Sequence, residues 1–530
     1  MRSEDYPVVI PHPSRRRVLI QAVTITICAM GVALWRSRSG LALIGDSGSY
    51  LAGASGASQG RIFDTPLVPS FSELSVLDTV RNAGWSPYAD FGIGLPLVIA
   101  LIHLVVPLNA AAVAVNVGSI GMIALGLVIG PWTPRHNNEL WMRSVVAFAV
   151  SCWPILSFTA SGVLSEPLFC AALLWLAILL PRLDVDRTVS LVVLGAFTIM
   201  IGTLRFVGPI VAIIVAVLLL QRNVAVRRVV VWTSITALGP LAATWIATSS
   251  TNTRVIALHG LDASDVFFTA RGVGGWFEAN LGNQTATLLR SSFDPNIFDW
   301  LITIAAISGA VAVLVKWVGS IRRRHAPPLE PARVLAVGLA LAVVPSMVFI
   351  DAVLKLENRI LMPTGILAIS ATAWWIAERT PFSVTPRTKV SSIVSWSVIG
   401  LWSVVATHPW QWLDRPPAAQ PSALTETVRS LDPAYVLTNR ADLVWWVTRI
   451  PSRYLPDGYH DLSDRSFDTR PIMQSLPCEL DRTDGVIVIE DGGTIGAVAD
   501  QLQSDTVDGR YDMSTRPDGI VVYTPTGLDC

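Results

Sequence analysis

Charge is what this chain has least of: 15% of its 530 residues are Asp, Glu, Lys or Arg, against 52% that are hydrophobic. With a mean hydropathy of +0.52, that balance excludes an ordinary soluble globular domain and implies an integral membrane protein. No sign of charge dominates either. The formal net charge is +0, and no region concentrates the Lys and Arg that phosphate neutralisation needs, which argues against a nucleic-acid partner. His-x-x-x-His, Cys-x-x-Cys and the Walker and Rossmann glycine fingerprints are all missing, so a metal or nucleotide site has no sequence support. Neither a solenoid repeat nor an inverted transporter repeat is visible. Cysteines number five. Cys28, Cys152 and Cys170 lie in apolar runs and read as inert packing residues, whereas Cys478 and Cys530 lie in a polar C-terminal region.

What is present is a series of apolar runs separated by basic loops. The first run, Val18 to Trp35, follows Arg15–Arg17 and lacks a small-residue cleavage site after it, so it reads as a retained signal anchor. A polar loop, Ile44–Tyr50, begins where this run ends, and residues 51–90 continue it, with an amphipathic stretch at Glu73–Val80. The run Phe91–Val106 is short and broken by Gly92, Gly94 and Pro96. If it stays at the outer leaflet, spans fall near 109–130, 144–160, 168–181, 189–206, 208–220, 229–248, 297–315, 334–353, 360–377 and 390–407. Arg135/Arg143, Arg182/Arg187, Arg222/Arg227/Arg228, Lys316/Arg322–Arg324/Arg333 and Arg379/Arg387/Lys389 then share the side of the basic N-terminus. By the positive-inside rule that side is the cytoplasm. The expected fold class is a polytopic α-helical membrane protein of about 11 transmembrane helices, with outer-face juxtamembrane helices and a small C-terminal extracytoplasmic α/β domain. Residues 1–407 form the membrane domain, with 36–108 as its first external loop, and 408–530 the tail. In the tail, Ala434–Thr438, Gly485–Ile489 and Gly519–Tyr523 read as strands and Ile495–Leu502 as a helix. Outside the cytoplasm Cys478 and Cys530 can oxidise to a disulfide; two free thiols are the alternative.

Several fragments recur in one order. Asp46 opens the first external loop, and Pro87 to Leu97 supplies a Pro-x-x-x-Phe-Gly-x-Gly-Leu-Pro-Leu segment. Then come Ser165-Glu166-Pro167-Leu168-Phe169, Leu204-Arg205-Phe206-Val207-Gly208, Glu357-Asn358-Arg359-Ile360-Leu361-Met362-Pro363, and Leu437–Asp442 leading into Trp445-Trp446. In this the chain resembles GT-C fold glycosyltransferases that use polyprenyl-phosphate sugars, in particular the protein-mannosyltransferase-like and aminoarabinose-transferase-like branches. The chain departs from the family pattern at Asp46, which stands in Gly-Asp-Ser-Gly-Ser-Tyr, where many members carry an acidic pair.

The resemblance implies transfer of a mannose- or arabinose-type sugar from a polyprenyl-phosphate donor to a cell-envelope glycan, glycolipid or protein, with inversion, at the plasma (inner) membrane. It leaves open whether a divalent metal takes part. Such a reaction needs a base for the acceptor hydroxyl and positive charge for the leaving phosphate. Asp46 is the candidate base; helix capping is the alternative. Arg205, Arg359, Arg36 and Arg38 are the candidate phosphate ligands, with snorkelling to the headgroups or binding of ordinary anionic lipids as the bland readings. Tyr50, Glu166, Glu357 and Asn439 are the supporting or acceptor-side candidates. Ser165-Glu166-Pro167 also looks like a helix start with Ser165 as N-cap. Asn439, Arg440 and Asp442 suit either an acceptor groove or plain strand-to-helix punctuation. In the loop 249–296, Trp276 beside carboxylates and Asn283 could meet a sugar, although interfacial Trp is expected there anyway. From another class, a membrane transporter or non-enzymatic envelope-assembly scaffold with a solute-binding tail would share the architecture, but transporters gather their polar residues near the midplane.

Overall fold

A computed structural model of the chain describes residues 13–42, 47–68, 85–87, 92–205, 208–249, 331–339, 358–379, 421–455, 470–490, 496–527. The first helix, α1 (Arg15–Arg36), starts where the Ser14 hydroxyl accepts from the Arg17 amide. It buries only small residues, Ala22, Ala29 and Ala33, while Leu19, Ile20, Val23 and Ile27 are exposed. A small-residue seam lets one backbone approach another where lipid covers the remaining surface. That seam lies on α4 (Leu108–Ile129). Between them come α2 (Ser47–Ser58), made mostly of Gly, Ala and Ser, and α3 (Gly94–His103). At about 1.5 Å per residue α3 is too short to cross a core of about 30 Å.

The run read as one span at 144–160 is in fact two helices, α5 (Asn137–Ser151) and α6 (Pro154–Ser161). Pro154 has no N–H to donate and suits the first turn of a new helix, so the chain breaks at Cys152-Trp153. Helices α7 (Glu166–Leu179), α8 (Thr188–Leu204), α9 (Gly208–Gln221) and α10 (Val226–Ser249) follow. A further helical stretch occupies 331–339, and α11 (Asn358–Arg379) packs on α7 and α5. Among the described residues α1 and α4 are long and apolar enough to cross a membrane by length and composition. The spans expected at 297–315 and 390–407, the stretch Glu73–Val80 and the loop 249–296 lie outside the described residues or nearly so.

From residue 421 onward the chain forms an α/β layer structure. A capping box between Ser422 and Thr425 starts α12 (Ala423–Leu431). Strand β4 (Tyr435–Thr438), helix α13 (Ala441–Thr448), β5 (Ser452–Tyr454), α14 (Arg470–Thr483), β6 (Gly485–Glu490), α15 (Gly496–Val507), β7 (Tyr511–Thr515) and β8 (Ile520–Pro525) complete it. Alternation sorts the strands' side chains onto two faces. Val436, Val486 and Val488 meet Leu424, Val428 and Val444 of α12 and α13, while Leu437, Ile487 and Ile489 meet Leu476, Leu480 and Leu502 of α14 and α15.

Two features tie this layer to the helices before it. The first segment contributes β1 (Asp64–Thr65), β2 (Leu67–Val68) and β3 (Ser86–Pro87). β2 joins the later sheet as its parallel edge strand, Leu67 opposite Ser452, giving the order β2-β5-β4-β6-β8-β7. Helix α13 belongs to both cores: Val444 enters the sheet's cluster, whereas Ala441, Trp445 and Trp446 enter the large cluster of the helical part. Arg449 then stacks over Trp445 at 4.6 Å and donates to Asn109 Oδ1 at 3.4 Å. Cys478 on α14 is disulfide-bonded, Cys28, Cys152 and Cys170 are free thiols, and Cys530 lies outside the described residues.

Candidate active site

The turn between α6 and α7 gathers several of the residues singled out above. It is fixed from α4, where the buried Asn116 amide donates to the carbonyls of Ala160 (2.8 Å) and Gly162 (2.5 Å). From α2, Ser47 Oγ accepts the Val163 amide at 2.9 Å, and the Tyr50 hydroxyl donates to Ser165 Oγ at 3.1 Å. Ser165 does stand at the N-cap of α7, with Glu166 and Pro167 in the first turn as the sequence pattern has it, but its side chain makes no cap hydrogen bond to the helix. It is engaged by Tyr50 instead.

Glu166 therefore starts α7 with a buried carboxylate, its side chain 3% exposed, and its partner is Arg205 Nη1 at 2.8 Å. A buried carboxylate needs such compensation. Arg205 caps the end of α8 in an extended conformation, φ −150° and ψ 150°, and stays 23% exposed. Two glycines of the Phe91–Leu97 segment explain how α8 is seated. A Cβ at Gly92 would lie 2.5 Å from the Thr203 carbonyl oxygen and 2.6 Å from that of Leu204, and one at Gly94 would lie 2.9 Å from the Leu204 amide nitrogen. Only residues without Cβ allow that approach. The motif thus packs on the very turn that delivers Arg205.

Arg36, the last residue of α1, lines a small cavity with Ala33, Ile120, Ser151 and Ala160. Ala160 belongs to the turn held by Asn116, so Arg36 is positioned by the same construction. Arg38 is exposed and stacks over Trp35 at 4.4 Å. Asp46 and Glu357 lie outside the described residues. Arg359 falls in the first turn of α11, and its side chain is not among those described.

The tail meets this region through α13. A Cβ on Gly48 would come 3.4 Å from Asp442 Cβ and 2.9 Å from Leu67 Cδ2, so the first turn of α2 lies directly on α13 and β2. Asn439 is differently employed: its amide donates to the Glu490 carbonyl at 2.9 Å and accepts the Glu490 amide at 3.1 Å, clamping the ends of β4 and β6. Arg440, whose side chain makes no cap hydrogen bond, stands at the N-cap of α13 and pairs with Glu490 at 3.4 Å. Tyr454, at the end of β5, has its phenol pKa pushed up by burial first and by the neighbouring Asp442 carboxylate second. Sequence reasoning missed Ser47, Asn116 and Tyr454, which carry no motif of their own. Among the described residues no group of three or more His, Cys, Asp or Glu side chains is disposed to hold a metal ion.

Comparison by sequence finds no matching family model and no matching curated protein. Comparison by structure does find matches. ArnT from Cupriavidus metallidurans, in a crystal structure bound to undecaprenyl phosphate, is 10% identical, with 96% of this chain and 98% of that one covered at a TM-score of 0.51. The same protein in its apo state is 11% identical, covering 95% of this chain and 98% of that one at 0.50. The chain has a GT-C fold. It is a polytopic helical membrane protein, as expected from composition. In the GT-C chain the turn at Glu166, the end of α8 and the first turn of α2 converge, and α13 of the α/β layer packs on the first turn of α2.

Proposed function

We propose that this protein is a membrane glycosyltransferase that moves a sugar from a polyprenyl-phosphate donor to a hydroxyl of an envelope glycan, glycolipid or protein. The observation that carries the reading is the Glu166–Arg205 pair at the convergence of α2, α7 and α8, on a fold shared with a protein whose structure contains undecaprenyl phosphate. A guanidinium has five donors in a planar fork, so one edge can be oriented by a carboxylate while another meets a phosphate. Glu166 orients Arg205, and Arg205, assisted by Arg36, Arg38 and Arg359, meets charge as the sugar–phosphate bond breaks.

Asp46 is the proposed base. It immediately precedes Ser47, whose hydroxyl is tied to the Val163 amide of the same turn. The acceptor oxygen attacks the anomeric carbon from the face opposite the phosphate, Asp46 takes its proton, and polyprenyl phosphate leaves, so the anomeric configuration inverts. A mannose- or arabinose-type sugar fits the sequence resemblance. In this reading the protein lies in the plasma membrane with a cytoplasmic N-terminus, about eleven spans over residues 1–407, and an extracytoplasmic domain over 408–530. The Arg135–Arg143, Arg182–Arg187 and Arg222–Arg228 segments, which join consecutive helices or begin them, then lie toward the cytoplasm, in keeping with positive-inside orientation. Tyr50 and Asn439 act as supports for the turn and for the sheet edge.

The test is transfer of radiolabelled mannose or arabinose from synthetic polyprenyl-phosphate donors to membrane acceptors, comparing wild type with Asp46→Asn in one lipid. Loss of transfer by a folded variant is expected. Equal transfer would remove Asp46 as the base, and no transfer by wild type from any donor would remove the transferase reading.

A further inference from the structure

The turn between α3 and α4 is tied by its own hydrogen bonds, yet it holds apolar side chains outward. The Val105 and Val106 amides both donate to the Ile102 carbonyl, and His103 Nδ1 donates to the Val106 carbonyl at 2.9 Å. Leu101, Leu104 and Val105 stand 68%, 70% and 83% exposed. Large apolar residues grouped on a well-tied turn fit a surrounding that is not water. Helix α4 says which, because it starts at Leu108 and is long and apolar enough to cross a membrane. At about 1.5 Å per residue its 22 residues match a hydrocarbon core of about 30 Å. Its first turn therefore stands at the border between acyl chains and headgroups.

The tail brings arginine to that border. Arg449, the C-cap of α13, donates to Asn109 Oδ1 in the first turn of α4 at 3.4 Å and lies over the rings of Trp445 and Trp446 at 4.6 and 6.0 Å. Arg429, in the last turn of α12, donates to the carbonyl of Val447, two residues before Arg449, at 2.7 Å. Both arginines are exposed. Among the described residues no carboxylate pairs with either, including Glu426 and Asp432, three residues to each side of Arg429. The first turn of α4 likewise holds no acid and has no side-chain cap, so its positive end is not offset. Packing accounts for the indoles, which seat α13 in the helical core. It does not account for two exposed cations without acidic partners beside a turn open to lipid. Arginine at headgroup level with tryptophan beneath it is suited to the phosphates of a membrane surface.

We propose that Arg449 and Arg429 form a docking ridge on the tail for the phosphate headgroups of anionic phospholipids in the adjoining leaflet, at the level set by the α3–α4 turn. A guanidinium has five donors, so Arg449 can keep Asn109 on one edge and meet a phosphate on another. The occupant is bilayer phospholipid, since the ridge lies at the opposite end of α13 from Asp442 and Gly48, the end that adjoins the candidate active site. Docking fixes the edge of the tail to the bilayer. It does not depend on the transferase reading.

The full chain, purified in detergent, is titrated with phosphatidylglycerol, phosphatidylcholine or undecaprenyl phosphate, and bound lipid is counted by native mass spectrometry. Wild type is expected to hold phosphatidylglycerol more tightly than phosphatidylcholine. Arg449→Gln and Arg429→Gln are each expected to weaken phosphatidylglycerol retention about fivefold, the effect of one cation at an anionic surface. Arg449→Lys, which keeps the charge, and Arg482→Gln, on α14 across the sheet, are expected to stay within about twofold of wild type. No preference for phosphatidylglycerol in wild type overturns the ridge, as does an Arg449→Lys or Arg482→Gln loss equal to that of Arg449→Gln. An Arg449→Gln loss confined to undecaprenyl phosphate also overturns it and assigns the arginine to the donor. Wild type that prefers phosphatidylglycerol but binds no undecaprenyl phosphate leaves the ridge standing and counts against the transferase reading instead.

Discussion

The two ends of α7 handle arginine in opposite ways. Past its last residue, Arg182 donates to the carbonyls of Gly130 and Pro131, and Arg143 donates to those of Ile129 and Trp132 while pairing with Glu139. These carbonyls include ones at the end of α4 that the helix cannot satisfy internally, those of Ile129 and its C-cap Gly130, and those of the turn that follows. Gly130, at φ +60°, turns the chain there, and a Cβ on it would lie 2.5 Å from Arg143 Nη1. Arginine at this end serves as a backbone cap. At the other end Arg205 meets a side-chain carboxylate, Glu166, on a neighbouring helix and remains partly exposed. The same residue type closes one end of the bundle and equips the other.

The contrast breaks most severely at the closed end. Arg143→Met leaves a wholly buried Glu139 carboxylate, and is expected to cost about 3–5 kcal/mol of stability, read as a large drop in melting temperature in detergent, with turnover per folded molecule retained. At the equipped end, Arg205→Ala is expected to lower sugar transfer by about 10²–10³-fold; an equal loss in Arg182→Ala would erase the distinction between the ends. Gly92→Ala forces the turn at Thr203–Leu204 away from its seat. Displacing Arg205 by about 1 Å is expected to cost up to 10²-fold in transfer, with undecaprenyl phosphate binding weakened in parallel.

Smaller effects sharpen the picture in the tail. Burial raises the pKa of Tyr435, and its hydroxyl has no hydrogen-bond partner among the described residues. Above about pH 10 the unfolded chain releases this proton while the folded chain keeps it, so stability falls with rising pH by up to about 1.4 kcal/mol per unit. Tyr435→Phe is expected to move alkaline unfolding to higher pH without loss of stability at neutral pH, as followed by circular dichroism. Smallest is Tyr50→Phe, which removes the bond to Ser165 and is expected to cost about 1 kcal/mol, measured against wild type by thermal unfolding.

Much of this was legible in sequence where the signal is local. The apolar runs near 109–130, 189–206, 208–220 and 229–248 coincide with α4, α8, α9 and α10, and the tail's three apolar strands are β4, β6 and β8. Glu166 and Arg205 could each be singled out, but their pairing could not, because it depends on how α7 and α8 lie together. Ser165 shows how far a local rule reaches: its pattern correctly marks the N-cap of α7, but the partner of its hydroxyl is a tyrosine from α2 and not its own helix. β2 is two residues long and has no periodicity to read; it is a strand only because β5 is there to receive it.

That last pairing has a temporal meaning. Leu67 emerges in synthesis long before Ser452. Contacts so distant in sequence are slow to form, since the loop entropy is spent before any stabilisation returns. The edge of the sheet, the seat of α13 in the helical core and the covering of Gly48 all wait for α13 and β5. Until α13 is made, the Glu166–Arg205 pair can form but Gly48 stays uncovered, so the connectivity of the chain sets the order in which the helical part and the sheet can join.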